Sequence, residues 1–97
     1  MKPLGRPVRI SMIIGLARKF PAEEAAHMAC DELKGTLMEM GIGVQKVATI
    51  EDVTLEGMKK AKGMTDQEAF NFFSEGFKLH LAKLGVSRSV IRDLRFE

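Results

Sequence analysis

The sequence contains no tryptophan and no tyrosine, and it has one cysteine among its 97 residues. The single cysteine, Cys30, excludes a disulfide within the chain and fits a reducing compartment. Phenylalanine is therefore the only one of the three large aromatic residue types, and four of the six phenylalanines lie in the segment 65–85. Because that segment has the pattern of a core helix, few aromatic rings are left to stack on nucleic-acid bases.

Long apolar runs and a phosphate-binding loop are also missing. No run approaches the roughly 20 apolar residues that a membrane-spanning helix needs. Gly41 and Gly43 follow a helical pattern, whereas the glycines of a phosphate loop precede a helix. We therefore expect a cytoplasmic protein with no membrane partner and no nucleotide bound in the usual way.

The composition is that of a small folded domain, because hydrophobic residues make up 45% and charged residues 29% of the chain. A domain of this size gains stability from self-association. The charge is segregated: residues 1–20 carry five positive and no negative side chains, and residues 21–44 carry five negative and one positive. Solvated faces are the preferred explanation of this polarity, and an oriented partner or head-to-tail stacking of copies is the alternative.

One long amphipathic helix is predicted for residues 65–84, with Asp66 as the N-cap and Gly85 as a left-handed residue after the last turn. Its core stripe has the spacing of a helix and consists of Ala69, Phe70, Phe73, Phe77, Leu81 and Leu84. Phe72, Leu79 and Ala82 lie off that stripe. They form a second apolar patch that a partner or another part of the chain should cover.

The rest of the chain predicts an α/β or α+β fold in one domain. After a flexible basic arm, residues 1–6, alternation from Val8 to Ile14 favours a strand, and an alanine-rich stripe favours a helix from Ala22 to Met40. A β-branched run from Ile42 to Ile50 favours a second strand, which makes residues 7–50 a β–α–β unit followed by the Phe-rich helix. Residues 51–63 are a connector, either a helix broken at Gly57 or a loop. Residues 87–97 form a basic closing element that is either helix or strand.

His27 and its neighbours are the best candidates for chemistry. Glu24 and His27 have the Glu-x-x-His spacing of di-iron helix bundles, with Cys30 and Asp31 close by. Such sites need a second copy of the motif, which the other helix does not supply. We expect no catalysis, no metal and no cofactor, with His27 solvated and His80 packed in the core.

The segment 81–94, LAKLGVSRSVIRDL, resembles the core of a helix-turn-helix motif. The resemblance covers a helix that ends in Leu-Gly, a Val-Ser turn and a following helix with apolar residues at Ile91 and Leu94. It implies that some side chains of the second helix face DNA or its phosphates, namely Ser87, Arg88, Ser89 and Arg92. The basic arm would add phosphate contacts from Lys2, Arg6 and Arg9.

Taken together, the sequence favours a non-enzymatic assembly or adaptor protein that binds protein chains, including copies of itself. The predicted interface combines the second apolar patch with surface methionines, which adapt to a partner: Phe72, Leu79, Met28 and Met38, with Met58 as a further candidate. The alternative is a small DNA-binding regulator that uses Arg88, Ser89 and Arg92 together with Arg6 and Arg9.

Overall fold

A computed structural model describes residues 5–47 and 50–97, without the side chain of Val44. These residues form six helices and no sheet, so the predicted α/β or α+β fold is wrong. The helices are α1 (Ile10–Lys19), α2 (Ala22–Glu39), α3 (Val44–Val47), α4 (Ile50–Ala61), α5 (Asp66–Lys83) and α6 (Arg88–Asp93).

The first predicted strand is helix α1. Its buried residues are Ile10, Ile13, Ile14 and Ala17, which have the i, i+3, i+4, i+7 spacing of one helical face. Ile10 and Ile14 also belong to the two-residue alternation, so the run fits both periods. The helical period continues to Ala17 and therefore buries more apolar surface. Only Val8 retains a strand-like role, since it forms an isolated parallel bridge with Phe96.

The second predicted strand, 42–50, is also wrong over the residues that the structure describes; residues 48 and 49 of that prediction lie outside them. The backbone amide of Val47 donates to the carbonyl of Gly43 at 3.0 Å, which starts the short helix α3. The buried residues Ile42, Val47 and Ile50 are three or five positions apart, and Ile50 already begins α4. β-branched composition alone therefore did not identify a strand here.

Helix α4 replaces the predicted connector and runs through Gly57 without a break. A Cβ atom at Gly57 would lie 3.0 Å from Cε1 of Phe73, so this glycine lets α4 approach α5 closely. Thr54 lies buried one turn earlier, where its hydroxyl donates to the carbonyl of Ile50 at 2.7 Å. No local pattern indicated this close approach, because Phe73 belongs to a different helix.

Helix α5 begins and ends within one residue of the predicted range 65–84, and its N-cap is Thr65 rather than Asp66. The Thr65 hydroxyl accepts from the amide of Glu68 at 3.2 Å, and the Glu68 carboxylate accepts from the amide of Thr65 at 3.0 Å, which is a capping box. At the other end Gly85 has a φ of 89°, and the Val86 amide donates to the Leu81 carbonyl at 3.0 Å. The predicted glycine cap is therefore confirmed.

Helix α1 lies at the centre of the fold and packs against both α2 and α5, while α4 packs along α2 and also touches α5. The N- and C-terminal segments of the described chain meet at the N-terminal end of α1. The amide of Val8 donates to the carbonyl of Arg95 at 2.8 Å, and the amide of Glu97 donates to the carbonyl of Val8 at 2.9 Å. The closing element is thus a short helix, α6, followed by an extended end.

Among the described residues, no helix has both the length and the apolarity needed to cross a lipid bilayer.

Candidate functional site

Leu79 is the most exposed large apolar side chain among the described residues, with 65% of its surface accessible. It lies on the side of α5 that faces away from α1, because Ala69, Phe77 and Leu81 occupy the buried side of the same helix. Ala82, one turn further on, is also exposed, and Phe72 is half-buried. The residues that did not fit the predicted core stripe therefore lie at or near the surface.

Phe72 and Gly76, on the same helix as Leu79, line an apolar recess between α4 and α5, which we call the α4/α5 recess. Its cavity of about 70 Å³ is lined almost entirely by carbon atoms, and its residues include Val53, Gly57, Phe72, Phe73, Gly76 and His80. Val53 is 47% exposed at the rim. A space of this size accommodates the end of one apolar side chain from a partner.

Leu79 itself lines a wider and shallower groove between α5 and α6, which we call the α5/α6 groove. It encloses about 390 Å³ and is lined by Glu75, Lys78, Leu79, Ala82, Arg88, Ile91 and Arg92. Its floor is apolar and its rim is mainly cationic. Lys78 pairs with Glu75 at 3.4 Å and also lies 5.4 Å from the centre of the Phe96 ring. Arg88 and Arg92 form no ion pair with the described residues, so their charges are available to a ligand.

Helix α6 is positioned by local features of the sequence. Ser87 caps it, since the Ser87 hydroxyl accepts from the amide of Val90 at 3.4 Å. Ile91 and Leu94 are half-buried against the core, which turns Arg88 and Arg92 outwards. Ser89 is exposed on the same short helix. The order of helix, glycine turn and capped helix that the helix-turn-helix resemblance implied is thus present, although the second helix has only 6 residues.

The predicted methionine contacts do not join this surface. Met38 is 60% exposed and Met28 is half-buried, but both lie on α2 and line neither the α4/α5 recess nor the α5/α6 groove. Met58 is fully buried, so its assignment as a surface contact is wrong. The four predicted interface residues therefore belong to two separate faces, one on α5 and one on α2.

Two arginines that were predicted to contact DNA from the basic arm, Arg6 and Arg9, already form ion pairs within the chain. Arg6 forms ion pairs with Glu32 and Glu39, each at 3.1 Å, and Arg9 pairs with Glu32 at 3.1 Å. The hydrogen bond from Arg9, followed by that from Arg6, lowers the pKa of Glu32 below its usual value. Lys2, the third predicted contact of the arm, lies outside the described residues. Part of the charge segregation seen in the sequence is therefore neutralised by contacts between the arm and α2.

The His27 group meets carboxylates that the sequence did not place there. Glu51 and Asp52 at the start of α4 line one recess of about 230 Å³ together with Glu23, His27 and Cys30 of α2. Within residues 5–47 and 50–97 no group of three or more potential ligands has the arrangement of a metal site. Burial raises the pKa of the Cys30 thiol, which keeps this side chain protonated and poorly nucleophilic.

His80 is buried beside the α4/α5 recess, with 8% of its surface accessible. Burial, and to a smaller extent the charge of Lys83, lowers the pKa of the imidazole below its usual value of 6.5. The side chain is therefore neutral at neutral pH, and it lines an apolar wall.

Comparisons of this chain with protein-family models, with curated proteins and with solved structures each give no match.

Proposed function

We propose that this chain is a non-enzymatic protein that binds a protein segment through the outer side of α5. We call this site the α5 surface and define it by Phe72, Gly76, Leu79, Ala82 and Ile91. The observation that supports it best is the position of Leu79, which is 65% exposed in the apolar-floored α5/α6 groove, on the same helix as Phe72 and Gly76 of the α4/α5 recess.

The arrangement resembles the centre of a protein interface, where a few apolar anchors lie beside recesses and charged groups lie at the rim. Covering the exposed two thirds of the Leu79 side chain would contribute about 1–2 kcal/mol to binding. Gly76 lines the α4/α5 recess, and a Cβ atom at this position would have no neighbour within 4 Å. The space next to Gly76 is therefore open. A partner side chain can therefore enter beside Phe72 while another covers Leu79.

The test is a selection of peptides from a phage library of random linear sequences, with the wild-type chain as bait. We expect enriched peptides to carry spaced apolar residues and to lose affinity at least about tenfold for the Leu79→Ser variant. Gly76→Leu, which fills the recess, should weaken the same peptides. Lys60→Ser is the matched control, because Lys60 is exposed on α4 and lines neither recess of the α5 surface.

Two results would contradict the proposal. One is the absence of any enriched peptide after repeated selection. The other is a set of peptides that bind the wild type, the Leu79→Ser variant and the Lys60→Ser control equally well. Circular dichroism of each variant must show the wild-type helical content, so that a loss of binding reflects the surface and not the fold.

A DNA-binding role is the second candidate, and the exposed cations of α6 support it. Arg88 and Arg92 border one groove, and Ser89 is exposed on the same helix. Arg6 and Arg9 contribute less than the sequence suggested, because both already pair with carboxylates of α2. Fluorescence anisotropy of a labelled random duplex across a salt series tests this role. Binding that falls steeply with salt and is weakened by Arg88→Ala with Arg92→Ala would support it, and no binding at low salt would exclude it.

A further inference from the structure

A second uncovered face lies on α2. Glu24, His27, Asp31 and Met38 are exposed, and Met28 is half-buried among them. These five positions recur with helical spacing on the side opposite the buried alanines and leucines of α2. We call them the acidic α2 face. It combines adaptable thioethers with carboxylates, so it is complementary to a surface that offers apolar and cationic groups.

The charge around this face is mainly negative. Glu23, Glu51 and Asp52 are exposed around the recess that His27 borders. Lys34 is the nearest cation in sequence, and it is already paired with Glu51 at 2.5 Å. Glu24 and Asp31 form no ion pair with residues of the described segments.

The α5/α6 groove has the opposite charge and a complementary apolar surface. Arg88 and Arg92 form its uncompensated rim, and Leu79 with Ile91 forms its floor. Both α2 and α5 turn their buried sides towards α1, so their outer faces cannot meet within one chain. They can meet between two chains.

On this basis we propose that the occupant of the α5 surface is a second copy of this chain, which docks through its acidic α2 face. The proposal rests on the α5 surface being a protein-binding site, as set out above. The contact joins two different faces, so it is heterologous: each copy offers one α5 surface and one acidic α2 face, and assembly proceeds head to tail. The apolar residues supply the affinity. The opposite charges orient the two copies as they associate, and they disfavour a contact between two faces of the same charge.

The test uses two variants of the full chain that each remove one face. Variant one carries Leu79→Ser with Arg88→Glu and retains its acidic α2 face. Variant two carries Asp31→Lys with Met38→Ser and retains its α5 surface. All four side chains are exposed in the wild type, so both variants should keep their fold, which circular dichroism checks.

Sedimentation velocity across a concentration series provides the measurement. The wild type should form assemblies that grow with concentration and weaken at high salt, and each variant alone should remain monomeric, with its association weakened at least about tenfold. An equimolar mixture of the two variants should form a dimer that does not grow, because it contains one intact interface and two blocked ends. Lys60→Glu, which makes the same charge change as Arg88→Glu on α4, should assemble like the wild type.

Three results would overturn the inference. If the wild type is monomeric at every concentration, the occupant is not a second copy; the peptide selection then decides independently whether the α5 surface binds another protein. If both variants are monomeric and their mixture also stays monomeric, the interface is not head to tail. If either variant assembles like the wild type, the face that it lacks is not used. Duplex binding by a monomeric wild type would point to nucleic acid instead.

Discussion

Gly57 and Gly76 provide a direct test of how α4 packs on α5, because both glycines lie inside helices but in opposite surroundings. Replacing an interior helical glycine by alanine stabilises a helix by about 0.8–1 kcal/mol when nothing else changes. At Gly76 a new Cβ atom would have no neighbour within 4 Å, so Gly76→Ala should gain that amount in full.

At Gly57 the same substitution places a methyl group 3.0 Å from the Phe73 ring. Overpacking of this kind costs about 1–3 kcal/mol. The cost offsets or exceeds the gain in helix propensity, so Gly57→Ala should change the free energy of unfolding by between about zero and a loss of 2 kcal/mol. The expected difference between the two variants is therefore about 1–3 kcal/mol in favour of Gly76→Ala.

Urea unfolding followed by far-ultraviolet circular dichroism measures this difference, since the chain has no tryptophan or tyrosine for fluorescence. For a domain of this size 1 kcal/mol corresponds to about 4–8 °C, so thermal melts give an independent reading. Equal stabilisation by both substitutions would refute the close approach of Gly57 to Phe73. A loss of stability for Gly76→Ala would refute the open space at Gly76.

Three further predictions follow from contacts elsewhere in the fold. Glu32→Gln removes the charge that pairs with both Arg6 and Arg9, and it should lower the free energy of unfolding, measured in urea, by about 1 kcal/mol. The pKa of Glu32 is lowered in the folded protein, so its stabilising contribution is present above the ordinary glutamate pKa. That contribution is lost as the pH falls through the pKa of the folded state. Thr65→Ala breaks the capping box and should cost about 1 kcal/mol, while Thr65→Ser should cost little. Because the pKa of His80 is lowered, the free energy of unfolding should fall as the pH drops below 6.5, and the part of this loss that is due to His80 should be absent in His80→Gln. The same pH profile for the wild type and His80→Gln would contradict the burial of the imidazole.

The two long helices could be predicted from the sequence because each has a continuous apolar stripe bounded by clear signals. Pro21 precedes α2, and Gly41 follows it with a φ of 84°. Gly85 ends α5 in the same way. Over fifteen or more residues the helical period is unambiguous, and tertiary contacts only reinforce it.

The short elements could not be predicted in this way. Ile10 and Ile14 satisfy both the helical and the strand period, and a run of seven residues is too short to separate the two. Gly57 resembled a helix break because glycine weakens an isolated helix, whereas its role depends on Phe73 of another helix. In each case the deciding interaction is distant in sequence.

The candidate site was only partly predictable. The helical spacing of α5 already set Leu79 and Ala82 apart from the core stripe, and the structure places both at the surface. The position of Ile91 and Arg88 beside them depends on the angle between α5 and α6, which no local pattern specifies. Likewise, nothing in the sequence indicated that Arg6 would pair with α2.

The most direct test of the central claim is a nuclear magnetic resonance titration of the wild-type chain with a peptide obtained from the selection. The α5 surface predicts that the methyl signals of Leu79, Ala82 and Ile91 shift together, with smaller changes at the α4/α5 recess around Val53. The signals of buried Leu37 in α2 should stay in place. Shifts centred on any other face, with Leu79 and Ile91 unaffected by a bound peptide, would contradict the claim.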